Sequence, residues 1–324
     1  MADAADIEIA TDENFDLARY LAANPDLARY AQGGGDAYAH FVAHGRAEGR
    51  HQLRAPPPLQ SAPGDAARYE RFAPLLDPAA GGGGSFQFVD QERAFPLFYG
   101  DAHYDLAAYD GESANAGFGP FVEEVRDNPD KLYADIGCGR RPSKQANCLY
   151  VEVYPSSSAD IIMAPGSRYP IASGSLDGIG CFAVLEHVEQ PWLVAEEFRR
   201  MLKPGGKVFI DWPFLQPVHG YPSHYYNATR DGLRRMFDEG YDIELLDTLD
   251  NQSPAHTISW CLSEVLADLA LRNPPLGQRL SAASVSELVG GGADNALWRD
   301  IVASLSPHTR MTLACGNTLI ARKL

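Results

Sequence analysis

The chain has 324 residues, 45% hydrophobic and 22% charged, which suits a globular protein with one large domain, a sizeable core and a smaller module beside it. Its 43 acidic residues against 27 basic ones give a formal net charge of -16, which repels a phosphate backbone and argues against nucleic acid as a partner. The five cysteines, at 138, 148, 181, 261 and 315, form neither a CxxC pair nor a zinc-site spacing.

The acidic start MADAADIEIATDENFD lacks the basic-then-apolar order of a secretory leader. No apolar run reaches the roughly 18 residues of a membrane span. A cytoplasmic protein with reduced thiols is the expectation.

Residues 1–53 read as a small helical module. In FDLARYLAANPDLARY, Phe15, Leu17, Ala18, Tyr20 and Leu21 fall near helical spacing, Asn24 and Pro25 interrupt them, and Leu27 and Tyr30 resume. GGGDAYAHFVAHGRAEGR adds a glycine break and a second short helix. His40 and His44 lie one helical turn apart, a spacing that can suit a metal, but with no third ligand in view packing or surface roles are favoured. Residues 54–85, with APPPLQSAPGDAA and GGGGS, read as a linker region holding a short helix around Tyr69 to Leu76. Residues 86–120 are aromatic but aperiodic, which fits an entry or lid segment, or a packed extension of the main domain.

From Leu132 the rhythm becomes strand, turn, helix, strand. LYADIG, CLYVEVY, DGIGCFAVL and GKVFIDW are short apolar runs suited to buried parallel strands, and PWLVAEEFRRML is an amphipathic helix ended by KPGG. Past a helix near Arg230 to Phe237, YDIELLDTL and NTLIARK supply two late strands around a helical SWCLSEVLADLALR. Asn273 to Asp300 shows no clear period. The alternation predicts an α/β fold, with a domain over 121–324.

DIGCG places Asp135 at the end of a buried strand and Gly137 and Gly139 in the turn after it, where open parallel sheets bind ligands. The next strand carries Glu152 near its carboxyl end, where a carboxylate can accept both hydroxyls of a ribose. A dinucleotide fingerprint needs a third glycine, and GCGRRP has Pro142 there, which weakens a dehydrogenase reading.

DIGCG, the strand around Val151 to Val153, Ser175 to Val188 with VLEH, LKPGG at Leu202 to Gly206, and Trp212 to Phe214 follow one another in the order that resembles the class I S-adenosylmethionine-dependent methyltransferases. They are most similar to the bacterial type 11-like branch associated with glycan biosynthesis. The resemblance implies a Rossmann-like, seven-stranded, mostly parallel sheet with a C-terminal antiparallel hairpin, and S-adenosylmethionine as cofactor. It places Asp135, Gly137, Cys138 and Gly139 around the methionine part, Glu152 and Val153 at the ribose, and Leu185, Glu186 and His187 beside the sulfonium. The aspartate that often binds adenine is replaced by Ala164, Pro165 and Gly166, so main-chain groups around Met163 and Ala164 are expected to substitute. Only positions 140–149 separate the first two strands, so the crossover helix must be vestigial, leaving affinity to backbone amides and Glu152.

WPFLQPVHGYPSHYYNATRDGLRRMF, after the fifth strand, resembles the acceptor segment of sugar-linked members. His219 is the first candidate general base and His224 the second, because a neutral imidazole can take a hydroxyl proton near pH 7. Tyr221, Tyr225, Tyr226 and Asn227 are the candidate substrate contacts. Methyl transfer requires alignment more than acid–base machinery and calls for no metal. Asp211 with His219 lacks further carboxylates in sequence to make a cation site.

The N-terminal YLxxNPD and HFxxHGxxEGR patterns, on Tyr20, Leu21, Asn24, Pro25, Asp26, His40, Phe41, His44, Gly45, Glu48, Gly49 and Arg50, resemble a short repeat found beside bacterial glycosyltransferases. The resemblance implies a glycan setting and docking to glycan-assembly proteins. O-methylation of a sugar hydroxyl on a glycan or glycosylated precursor is the leading reading. The alternatives are a degenerate methyltransferase fold acting as a binding module, and a small-molecule N- or C-methyltransferase.

Overall fold

The computed structural model describes residues 7–24, 26, 27, 31, 35–53, 59–90, 93–104, 118–166, 168–220, 223–292 and 295–315. The chain divides into two compact units, Met1–Phe182 with Glu197–Ile210, and Ala183–Glu196 with Asp211–Leu324.

In the first unit, strands β1 (Ile7–Ile9) and β2 (His51–Leu53) pair antiparallel and close the N-terminal module over a helix at Leu17–Ala23. Asp16 caps that helix by accepting the Arg19 amide hydrogen, which satisfies one of its orphan donors. Phe15 stacks on Phe41 at 4.3 Å, and Tyr20, Leu27 and Phe41 form a buried apolar centre. The repeat-like residues serve this packing: the Asn24 amide donates to the carbonyls of Tyr20 and His51 at 2.7 Å each, and Arg50 pairs with Asp26 at 2.6 Å.

Seven further strands form one sheet in the order β3-β4-β7-β6-β5-β8-β9: β3 (Phe86–Phe88), β4 (Leu97–Tyr99), β5 (Tyr133–Ile136), β6 (Cys148–Glu152), β7 (Ile161–Met163), β8 (Leu176–Phe182) and β9 (Leu202–Asp211). β3 and β4 are antiparallel, while β4–β7, β7–β6, β6–β5 and β5–β8 are parallel. Every residue of β5, β6 and β7 is buried, as expected where a parallel sheet is covered on both faces. This is the α/β alternation that the sequence rhythm predicts, in the Rossmann-like, mostly parallel sheet that the resemblance implies.

Three boundaries differ from the sequence reading. The stretch read as an entry or lid segment, or as a packed extension of the main domain, supplies β3 and β4 between residues 86 and 99, with Phe95 and Leu97 fully buried. The linker helix read around Tyr69 to Leu76 starts earlier, at Asp65–Phe72 with a further turn at Ala73–Leu75, and its Arg68 pairs with the buried Asp160 and donates to the Cys148 carbonyl at 2.8 Å, fastening it to the sheet. KPGG does not stop a helix in a loop: the helix Pro191–Met201 is followed directly by β9, which holds Pro204 on the outermost strand, where its missing N–H is tolerated.

In the second unit the expected late strand YDIELLDTL is irregular, and Leu245 within it is 66% exposed because no described strand pairs with it. NTLIARK, expected to close the sheet as a C-terminal hairpin, lies outside the described residues; within the described seven-stranded sheet the antiparallel pair is β3–β4. The helix Pro254–Arg272 is followed by Pro274–Ala282, Val285–Val289, Ala296–Ser304 and Pro307–Thr312, around a core of Val265, Leu269, Leu276, Leu280, Leu297 and Ile301. Asn273, Ser284, Asn295 and Ser306 each cap the helix that follows. Helices this short carry too few turns to show a period.

Candidate functional site

The turn after β5 runs through Gly137 (φ +68°) and Gly139 (φ +56°), left-handed conformations that glycine adopts without a Cβ penalty. Residues 137–147 form no helix before β6, in keeping with the short crossover. Side chains and strand carbonyls take its place. The amides of Gly137 and Cys138 donate to the Val151 carbonyl at 2.9 and 3.2 Å, and the Gly139 amide donates to Glu152 Oε1 at 2.8 Å. Glu152 Oε2 accepts the Val153 amide hydrogen at 2.7 Å. Ser156 donates to the Gly139 carbonyl at 2.8 Å, and the Ser158 hydroxyl accepts from the Arg141 amide at 2.8 Å.

Glu152, expected to face a ribose, is therefore also the clamp of the glycine turn, and the three amides expected to face a cofactor are engaged within the loop. Asp135 is buried and accepts from Arg141 Nε and Nη2 at 2.9 and 3.2 Å. Burial pushes the Asp135 carboxyl up and the Arg141 guanidinium draws it back. Cys138 is fully buried, its thiol raised by burial, so it packs inside the turn. Met163 ends β7 in the core, and Ala164 follows it at the start of the next loop. Arg141, Ser156 and Ser158 escape sequence reasoning because their roles depend on a return path that no local pattern announces.

In the second unit a turn at Ala183, held at φ +54°, leads into the short helix Leu185–His187. A left-handed alanine stores roughly 1 kcal/mol of strain, a feature that clusters at functional sites. The segment from Trp212 to Ala228 is fastened beside it: Tyr225 and Tyr226 amides donate to the Glu186 carbonyl at 2.7 and 3.3 Å, and the Ala228 amide to the Pro213 carbonyl at 2.9 Å.

Three groups converge here. The Glu186 carboxylate has 0% exposure and neither oxygen has a hydrogen-bond partner. His187 Nε2 and His219 Nε2 lie 3.8 and 3.9 Å from Glu186 Oε1. His187 Nδ1 stands 2.9 Å from the Ser223 carbonyl and His219 Nδ1 2.8 Å from the Pro217 carbonyl. A carbonyl only accepts, so each Nδ1 carries the hydrogen and each Nε2 presents a lone pair. Burial lowers the pKa of both imidazoles, which keeps them neutral. Burial pushes the Glu186 carboxyl up to about 8; its own backbone amide draws it part of the way back, and the nearby Asp211 charge adds to the rise.

His224, the second candidate base, is differently placed. Its Nδ1 accepts the His219 amide hydrogen at 3.3 Å and its Nε2 donates to Asn227 Oδ1 at 2.7 Å, so both ring nitrogens are in use. Asn227, a candidate substrate contact, braces His224 and donates to the Gln216 carbonyl at 3.3 Å. Tyr225 and Tyr226 direct their hydroxyls to Glu189 at 3.1 and 3.2 Å while their rings stay about two-fifths exposed, and Trp192 approaches Tyr226 at 6.2 Å. Tyr221 lies outside the described residues. Leu185 is buried beneath the cluster's helix.

Two residues without a sequence signal shape the cluster. Gly220 has φ +78°, and a Cβ there would sit 2.2 Å from His187 Cε1. Trp260, from the helix Pro254–Arg272, packs its ring 5.0 Å from that of His219. At His40 and His44 the rings are 5.3 Å apart, and among the described residues the groups of three metal-ligating side chains include none there. The one such group is Glu186, His187 and His219, whose ligand atoms all lie within 4.8 Å of one another.

Residues 134–210 match the family model described as a methyltransferase domain. The chain is 35% identical over 90 residues to an uncharacterized methyltransferase of Mycolicibacterium gilvum (strain PYR-GCK), covering 26% of this chain and 35% of that protein. It is 30% identical over 112 residues to an uncharacterized methyltransferase of Mycobacterium leprae (strain TN), covering 33% and 42%. A relative from Mycobacterium tuberculosis (strain ATCC 25618 / H37Rv), also an uncharacterized methyltransferase, is 33% identical over 84 residues, covering 25% and 33%. The chain thus spans roughly a third of the length of these relatives, 35% in the first case. The matched stretch holds most of β5 to β9, the glycine turn and Glu186–His187, so it is this part of the chain that is similar to methyltransferase domains. No described helix is long and apolar enough to cross a membrane.

Proposed function

We propose that the protein transfers a methyl group from S-adenosylmethionine to a hydroxyl of a sugar or glycan acceptor in the cytoplasm. The glycine turn with Glu152 is assigned to the methyl donor, and the Glu186, His187 and His219 cluster to activation of the acceptor. The acceptor oxygen attacks the methyl carbon, the carbon–sulfur pair returns to sulfur, and the hydroxyl proton leaves to the cluster. A methyl ether and a neutral thioether result. The observation that carries the hydroxyl reading is the pair of neutral imidazoles with unengaged Nε2 lone pairs. Exposed faces of Tyr225, Tyr226 and the neighbouring Trp192, 6.2 Å from Tyr226, favour a sugar ring, whose C–H face stacks on aromatic surface.

Titration of the protein with S-adenosylmethionine, followed by transfer of labelled methyl to a panel of glycosides, tests this. Binding at micromolar to low-millimolar cofactor, weakened roughly tenfold or more in Glu152→Ala, is expected. No heat of binding at millimolar cofactor would sink it.

A second reading is a binding module built on the same fold, docking glycan-assembly proteins through the N-terminal module. The internal engagement of the Gly137, Cys138 and Gly139 amides favours it. The same titration separates the two, because a binding module shows no donor binding.

A further inference from the structure

We propose that Glu186, His187 and His219 bind a divalent transition-metal cation of the zinc type, with solvent or an acceptor oxygen completing its coordination. The three side chains come from one short helix and one loop, and their ligand atoms already gather within 4.8 Å. A tetrahedral ion with bonds of about 2.0–2.1 Å holds its ligands about 3.4 Å apart, so the 3.8 and 3.9 Å separations from Glu186 to the two imidazoles close with small side-chain rotations.

Two features independent of those distances point to an ion. The first is the tautomers. Both histidines spend Nδ1–H on a backbone carbonyl, the outer-shell bond that orients a metal-ligating imidazole and raises its basicity. The second is the carboxylate. Glu186 is fully buried with two unpartnered oxygens, and among the described residues its ion-pair partners are only the two neutral histidines. A fully buried carboxyl group with neither oxygen partnered is unfavourable in either protonation state, and a cation supplies the missing partner. Two imidazoles and one carboxylate are a donor set for zinc, cobalt, iron or manganese in preference to magnesium or calcium, which take oxygen.

The consequence for catalysis rests on the methyl-transfer reading, whereas the binding itself does not. With three protein ligands the ion keeps open positions. The acceptor hydroxyl takes one and an ion-bound hydroxide takes the proton to become water. The resulting alkoxide attacks the methyl carbon as the sulfonium leaves as a thioether. His219 is then a ligand, and no imidazole has to shuttle the proton.

The test uses metal-free full-length protein without cofactor or acceptor, so its outcome is separate from that of the methyl-transfer reading. Calorimetric titration with zinc chloride is expected to give one ion per chain, with a higher thermal midpoint. X-ray absorption of the zinc-loaded wild-type protein should show two imidazole nitrogens with oxygen ligands and no sulfur. His187→Ala, His219→Ala and Glu186→Gln should each weaken binding by roughly tenfold or more, while the His40→Ala/His44→Ala double variant should bind as the wild type does. Absence of binding, sulfur in the coordination shell, or unchanged affinity in His187→Ala and His219→Ala overturns the proposal. The absorption measurement needs no variant, so a variant that misfolds does not blunt the test.

Discussion

The glycine turn and the histidine cluster are both built from a short loop beside a strand end, yet they treat buried polar groups in opposite ways. At the turn, the amides of residues 137 to 139, both Glu152 oxygens and the Asp135 carboxylate have partners at 2.7 to 3.2 Å. At the cluster, Glu186 has none and two imidazole lone pairs face it. A satisfied network holds a shape and needs nothing more. A buried unsatisfied carboxylate in a native structure calls for an explanation, and a ligand is the simplest physical one.

The comparison breaks most readily at Arg141. Removing it with Arg141→Ala leaves Asp135 buried and unpaired, and a loss of about 3–5 kcal/mol of stability is expected in chemical denaturation. A loss under about 1 kcal/mol would mean that the turn does not depend on the pair.

The cluster answers to pH in the metal-free protein. The Glu186 carboxyl is raised from 4.5 to about 8 in the folded chain, so the folded state holds its proton more tightly than the unfolded one. Stability from this group is full below pH 4.5 and is lost as pH rises through 8. His187 and His219, lowered from 6.5 by burial, act in the opposite sense at the acid end of that window. The reading is therefore the difference in denaturation stability between chelator-treated wild type and Glu186→Gln, which should fall by a few kcal/mol from pH 4.5 to 8, at about 1.4 kcal/mol per pH unit at most. An unchanged slope in the variant would place the titration elsewhere.

Gly220→Ala is the gentlest of the three. A Cβ at φ +78° and 2.2 Å from the His187 ring must displace the imidazole, with about 1–3 kcal/mol of strain. A shifted His187 signal in the nuclear magnetic resonance spectrum is expected, with the signals of the N-terminal module unmoved. An unperturbed ring would show that the loop yields instead.

Much of the sheet was legible because buried parallel strands are short apolar runs, and Tyr133–Ile136, Cys148–Glu152 and Leu176–Phe182 fall where LYADIG, CLYVEVY and DGIGCFAVL put them. β3 and β4 were not, because an edge pair of three residues each gives too little alternation to separate a strand from an aromatic loop. YDIELLDTL misled for the converse reason: it alternates, but no described strand meets it. The short capped helices after Asn273 carry caps that can be read only once their boundaries are known.

By itself the sequence determined the parallel core, the glycine turn with its acidic neighbour, and the presence of His187 and His219, because these rest on local periodicity and on residue chemistry. Tertiary structure alone decided what those residues touch. It set Glu152 on the Gly139 amide, saturated both nitrogens of His224, and turned the Nε2 atoms of His187 and His219 toward one buried carboxylate, 33 positions before the later histidine. Hydrogen-bond satisfaction and burial are properties of a packed environment, and residues distant in the chain supply that environment only after folding.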